Sequence, residues 1–309
     1  RGHEPPAPAQ QPPAQAQEPP ARAQEPPAPA EQPPARAQEA VTFVYAPPKT
    51  GDVVRGVESM DLQFDIEIAV GELELGSVRT RQRQQEEVTA TLVTWTARKR
   101  EATLVFATME STETTTNPGG GTETTRESQP HAGKSYRVVQ SGDGTPTVTP
   151  LPKGPLSSDE VTLVLQAFAE LPRAPGPLEE ALRSRSLRVG DEITADPKLA
   201  QELLEFGAEE TFRLSEARVV LREVVEIDGE RCGVLQVDVT MVGDEEGMSM
   251  SMTATGEASL SLEGMRPHRF TLRGPLTVVG RLEQDGLAMT MRGGGAFEAS
   301  AEWSYTAAK

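Results

Sequence analysis

The stretch "MDLQFDIEIAV", residues 60–70, alternates without a break. Leu62, Phe64, Ile66, Ile68 and Val70 share one parity, and Gln63, Asp65 and Glu67 share the other. A period of two puts successive side chains on opposite faces of a strand. The stretch therefore reads as a β-strand with one apolar and one wet face. The pattern recurs in "VTATLVTW", "ATLVFATME" and "GKSYRVVQSG". The polar run "TETTTNPGGGTETTRESQP", residues 112–130, reads as a mobile excursion between strands.

Alternation returns after Gly207 and predicts a five-strand meander over about 212–227, 231–243, 247–262, 268–284 and 287–305. Asp228-Gly229 and Asp285-Gly286 are two-residue hairpin signals, and "GDEEG", 243–247, is a further turn. Gly293, Gly294 and Gly295 interrupt the last strand, which predicts a bulge or sharp bend.

Residues 155–207 carry a different period. Ser157 and Glu160 form a capping-box pattern, Val161, Val164, Leu165 and Phe168 share a helical face, and Pro172 stops the helix. "GPLEEALRS" starts a second helix at Pro177. "DPKLAQELLEFG" predicts a third, with Asp196 as N-cap, Pro197 at the first position, Gly207 past the end and Leu199, Leu203 and Phe206 as its buried stripe. The fold class expected is α+β and mostly β. It is a large curved antiparallel sheet, a half-barrel or open barrel, with two to three short helices packed on it. "KTGDVV" at 49 and "RVGDEI" at 188 each precede one half of the strands, which raises an internal duplication, although the halves match no further.

Residues 1–40 belong to no core. "QEPPARA" from Gln17, "QEPPAPA" from Gln24 and "EQPPARA" from Glu31 repeat a seven-residue unit without aromatic or large aliphatic side chains. Paired prolines favour polyproline II. The segment reads as a disordered, semi-rigid spacer of ~3 Å per residue and up to ~100 Å of reach. Residues 41–309 read as one β-rich domain. The sequence opens on Arg1 rather than Met, as a processed chain or an expressed fragment would, and a signal peptide is not visible in it, which decides nothing about what precedes it.

The net charge of −17 disfavours nucleic acid, whose binding starts with Lys and Arg on phosphates. No run approaches the ~20 apolar residues of a membrane helix. Cys232 is the only cysteine and lies in a strand pattern, so it reads as a buried, inert thiol. Six lysines among 30 basic residues, and Asn117 as the only asparagine, suit a GC-rich bacterial genome.

Catalytic constellations are missing from the pattern. His3 lies in the spacer and His131 in a polar loop, leaving His268 before a strand. No G-x-S-x-G, HExxH or P-loop occurs, so no catalytic residue, enzyme activity or cofactor is expected. Met248, Met250 and Met252 stand on one strand face, with Met289 and Met291 beyond. Thioethers suit Cu(I), but the same face continues as Ala254, Ala258, Leu260 and Leu262, so core or cavity lining is the reading and no metal is assigned. The candidate ligand-binding set is Leu62, Phe64, Ile66, Ile68, Met248, Met250, Met252, Met289 and Met291.

Gly133, Lys134 and Tyr136, then Leu171-Pro172, then Val189-Gly190-Asp191 carry a resemblance. In order of elements over about 41–305, the chain is similar to bacterial envelope lipoprotein-type domains of unknown function. Those are curved-sheet folds comparable to lipoprotein carriers. The resemblance implies a cell-envelope location, periplasmic, outer-membrane-associated or secreted. It also implies a lipidated cysteine upstream of Arg1. The leading expectation is a non-enzymatic envelope protein that binds a lipid or acyl chain on the apolar sheet face; an aliphatic and Met lining, with aromatics at 4%, favours lipid over carbohydrate. The alternative is a structural or assembly protein that docks an envelope partner through sheet edges or loops. Deleting residues 1–40 should leave the melting temperature of the remainder unchanged; a large drop would mean that the segment packs on the domain.

Overall fold

The computed structural model describes residues 40–71, 73–171, 177–183, 185–194, 212–245, 247–284 and 287–307. The spacer repeats, the Asp196–Gly207 helix pattern, Pro172 and the Asp285-Gly286 turn lie outside the described residues.

The N-terminal strands are β1 (Val41–Thr42), β2 (Val53–Val70), β3 (Leu73–Thr96), β4 (Lys99–Thr116), β5 (Thr122–Ser128), β6 (Ser135–Ser141) and β7 (Thr147–Leu151). Helices α1 (Ser158–Glu170) and α2 (Pro177–Arg183) follow. Then come β8 (Ser186–Leu187), β9 (Glu192–Thr194), β10 (Phe212–Ile227), β11 (Glu230–Glu245), β12 (Met248–Ser261), β13 (Pro267–Gln284) and β14 (Leu287–Thr306). The five C-terminal strands fall within two residues of the alternation that predicts them.

Among the described residues, 12 strands form one antiparallel sheet in the order β7-β6-β4-β3-β2-β14-β13-β12-β11-β10-β9, with β5 beside β4. No pairing joins β7 to β9, so the sheet is open rather than a closed barrel. Two meanders meet at its centre, where β2 pairs with β14 from Val53↔Thr306 to Val70↔Met289.

Each meander is fastened by the same turn. Gly51 donates to Leu92 O at 2.6 Å, Leu92 donates back to Asp52 O at 2.9 Å, and the Asp52 carboxylate accepts from Lys49 N at 2.8 Å. Gly190 donates to Leu221 O at 2.7 Å, Leu221 to Asp191 O at 3.1 Å, and Asp191 accepts from Arg188 N at 2.8 Å. Both glycines have positive φ, 93° and 95°, where a side chain would be strained. The repeated Gly-Asp dipeptide thus marks a repeated structural clasp, placed where β2 enters against β3 and β9 against β10.

Helix α1 forms where the capping box predicts. Glu160 N donates to Ser157 Oγ at 3.2 Å and Ser157 N to Glu160 Oε2 at 3.1 Å. Its Val164 and Phe168 pack with Leu92, Leu104, Phe106, Tyr136 and Val138 in one cluster. A second cluster gathers Phe43, Leu182 of α2, Ile193, Leu221 and Leu235. A third lies on β11–β14 and β2, with Val239, Met252, Leu272, Leu276 and Val278 at its centre.

Two expectations need correcting. The Thr-rich run is a β-hairpin, because β-branched side chains suit extended backbone and Thr114···Thr124 and Thr116···Thr122 pair hydroxyls across it at 3.3 and 3.2 Å. The glycines of β14 make no bulge: its register with β2 and β13 is continuous. They permit close strand approach instead, since a Cβ at Gly293 or Gly295 would overlap the carbonyl oxygen of Asp65 or Gln63. Gly294 is different; its Cβ would meet only Leu276 O, at 3.3 Å. Gly295→Ala should therefore lose about 1–3 kcal/mol in urea unfolding. Gly294→Ala should stay within about 0.5 kcal/mol of the parent; equal losses would show that strand approach is not the constraint.

Candidate functional site

The residues singled out by alternation fall on one face of the sheet. Cross-strand partners share a face, so the ladder registers give rows. Met252 opposes Leu276, which opposes Gly295, which opposes Phe64. The next row is Met250, Val278, Gly293 and Ile66, and the next Met248, Gly280, Met291 and Ile68. Met289 opposes Val70, and Phe297 opposes Leu62. All nine predicted residues thus lie on a single face, although they are spread over three separate strands.

Burial changes along that face. Met252 is 6% exposed and Leu276 likewise, whereas Met248, Met250, Met289, Met291, Ile66 and Ile68 are half-buried. Val70 opposes Leu73, which is 65% exposed at the β2–β3 turn. The apolar face therefore runs from a packed centre to an open end. His268 is ten residues from Val278 along β13, on the order of 30 Å away, so it does not join the methionines. Among the described residues, no group of three His, Cys, Asp or Glu side chains could hold a metal.

Between the first and third core clusters the same face turns acidic. Glu58 and Glu86 are direct cross-strand partners; Ala301 flanks Glu58 and Met109 flanks Glu86. Neither carboxyl has a cationic partner among the described residues. Burial, with the Glu58 charge adding to it, pushes Glu86 up to about 7, and burial also raises Glu58. The alternation could not reveal this pair, because register decides which carboxylates meet.

The residues that carry the resemblance serve the fold. Lys134 Nζ and Tyr136 Oη donate to Glu160 Oε1 at 2.7 and 2.8 Å, tying the α1 capping box to β6. Lys134, then the Ser157 amide, holds the Glu160 carboxyl down to about 2. Gly190 and Asp191 form the second clasp. His131 is 1% exposed and stands edge-on to Phe106 at 4.5 Å; burial lowers its pKa, which keeps the ring neutral. His268 Nε2 lies 3.4 Å from Glu230 Oε2, and its ring packs on Tyr305 at 5.7 Å. Cys232 is buried, and burial raises its thiol to about 11, so it is no thiolate nucleophile at neutral pH.

The opposite face is polar. Arg81 and Arg83 donate to Asp61, Arg79 to Asp65 and Arg55 to Glu87 across β2 and β3. A cleft of about 690 Å³ opens on this face over β2, β3 and β11–β14, and its lining includes Asp61, Asp238, Thr253, Arg273, Pro275 and Glu298. None of the nine candidate residues lines it, although Ala254 and Phe297 of the apolar face reach its lining.

No protein-family model matches the chain, and no curated protein matches it. Two solved structures align with the chain at low identity and low TM-score. A DUF1329 family protein from Desulfovibrio piger is 10% identical over 80% of this chain and 83% of its own, with a TM-score of 0.13. The outer membrane protein OprG from Pseudomonas aeruginosa is 8% identical over 84% of this chain and 99% of its own, with a TM-score of 0.16.

Because Glu86 is raised in the folded state, the native protein binds the extra proton. Stability is retained below about pH 4.5 and falls as pH rises through about 7. Glu86→Gln should therefore raise stability by on the order of 1 kcal/mol at pH 8 and by almost nothing at pH 4.5. Thermal melts at the two pH values test this; a gain independent of pH would remove the carboxyl pair as its cause.

Proposed function

We propose that this is a non-enzymatic cell-envelope protein, held away from its anchor by the N-terminal spacer, which binds a lipid or acyl chain on the apolar face of its sheet. The observation that carries this reading is the open end of that face. Met248, Met250, Met289, Met291, Ile66 and Ile68 stay half-buried in a fold that buries Met252 and Leu276. Flexible thioether and branched aliphatic side chains conform to an alkyl chain without fixing its shape. The spacer composition and the lipoprotein-type resemblance support the location.

The free edge of β5 favours a second reading, assembly with an envelope partner by strand addition. Among the described residues β5 pairs only with β4, and all seven of its residues are exposed.

Native mass spectrometry of the full chain after incubation with oleate tests the first reading. A non-covalent oleate adduct should form and should fall at least tenfold in Ile68→Asp/Met291→Asp. An adduct of equal intensity in that variant, or none in the parent, would reject the apolar face as the site.

A further inference from the structure

The cleft on the polar face is independent of the apolar site and has its own chemistry. Its volume, about 690 Å³, lies within the ~300–1,000 Å³ of small-molecule sites. Its shape is built into the backbone. A Cβ at Gly256 would overlap Thr271 O and one at Gly274 would overlap Thr253 O, so β12 and β13 approach here more closely than side chains permit. Gly274 lines the cleft, and Gly256 lines the groove that continues from it past Thr255, Arg273 and Glu298.

The walls are already satisfied. On one side Asp61 takes Arg81 Nε at 2.9 Å and Arg83 Nε at 3.0 Å. On the other, Asp238 takes Thr255 Oγ1 at 2.6 Å and Gln236 Nε2 at 2.9 Å. The floor is not. Arg273 and Glu298 are cross-strand partners on β13 and β14, the arrangement in which opposite charges ordinarily bond. Neither makes a side-chain hydrogen bond or ion pair among the described residues. An exposed guanidinium and an exposed carboxylate thus stand side by side without bonding, flanked by the hydrogen-bonded Asp61 and Asp238.

Such a floor asks for a ligand that carries both charges. Arg273 offers a two-pronged donor for a carboxylate, and Glu298 an acceptor for an ammonium. Asp61, Asp238 and Glu298 outnumber Arg81 and Arg273 in the lining, and the chain carries −17 overall, so a net anion is repelled. We propose that this cleft binds a short zwitterionic peptide, its terminal carboxylate on Arg273 and its ammonium on Glu298.

Isothermal titration of the full chain with Ala-Ala-Ala, its N-acetyl form and its C-terminal amide tests the assignment. The free tripeptide should bind. Amidation should weaken it tenfold or more, as should Arg273→Gln, and the amide should lose nothing further in that variant. Acetylation and Glu298→Gln should pair in the same way. Arg269→Gln, which breaks the Arg269–Glu302 ion pair outside the cleft, should leave affinity unchanged. Melting temperatures of all variants, with Arg273→Lys as a charge-preserving second test, separate unfolding from lost recognition. Absence of tripeptide binding at millimolar concentration overturns the proposal. So does affinity indifferent to both termini, or binding of maltotriose alone. The oleate adduct should persist in Arg273→Gln, so the two sites can fail separately.

Discussion

The pairing of β2 with β14 is the constraint on which the rest depends. It joins residue 53 to residue 306 and runs in unbroken register to Val70↔Met289. Without it, the two meanders have no shared edge, because every other long ladder joins strands of the same half. Such a contact closes a very long loop, so it forms at high entropic cost and late relative to local hairpins. What offsets that cost is length: eighteen-residue β2 lies against most of twenty-residue β14. The glycines of β14 let the backbones approach where side chains would collide. The centre of the sheet, including both candidate sites, therefore exists only when the first and last long strands meet.

That central pairing also sets the contrast between the faces. On the apolar face it places Phe64, Ile66 and Ile68 beside the β12–β14 residues and closes the third core cluster. On the polar face it sets Asp61 and Gln63 beside Ala296 and Glu298 at the cleft. A one-residue slip would exchange the faces, exposing the core and burying the Arg–Asp ladder. The ladder contributes little stability by itself, being exposed, but its charges penalise the slipped register.

The ends of the two meanders are held by local devices rather than by the long ladder. The Gly-Asp clasps at Leu92 and Leu221 use the same three hydrogen bonds, and each leucine is fully buried just before a shift in strand register. Lys134, Tyr136 and Glu160 dock α1 on its half of the sheet. Lys134, Tyr136, Gly190 and Asp191 thus act on the fold and none of them lines the polar cleft.

The sequence by itself determined the long C-terminal strands, the alternation of β2, the capping box of α1 and the apolar set from Leu62 to Met291. Periodicity and capping are local, acting over a few residues. It misread the Thr-rich hairpin, because Gly and Thr there signal turn composition more strongly than strand propensity. It also took the β14 glycines for a break, because close approach depends on a neighbour about 230 residues away. Only the tertiary structure decided that Glu58 meets Glu86, that Arg273 stands unpaired beside Glu298, and that the methionines of β12 line up with Ile66 and Ile68. Each of these is a matter of register between strands, and register is fixed by the whole sheet's burial, which no single segment encodes.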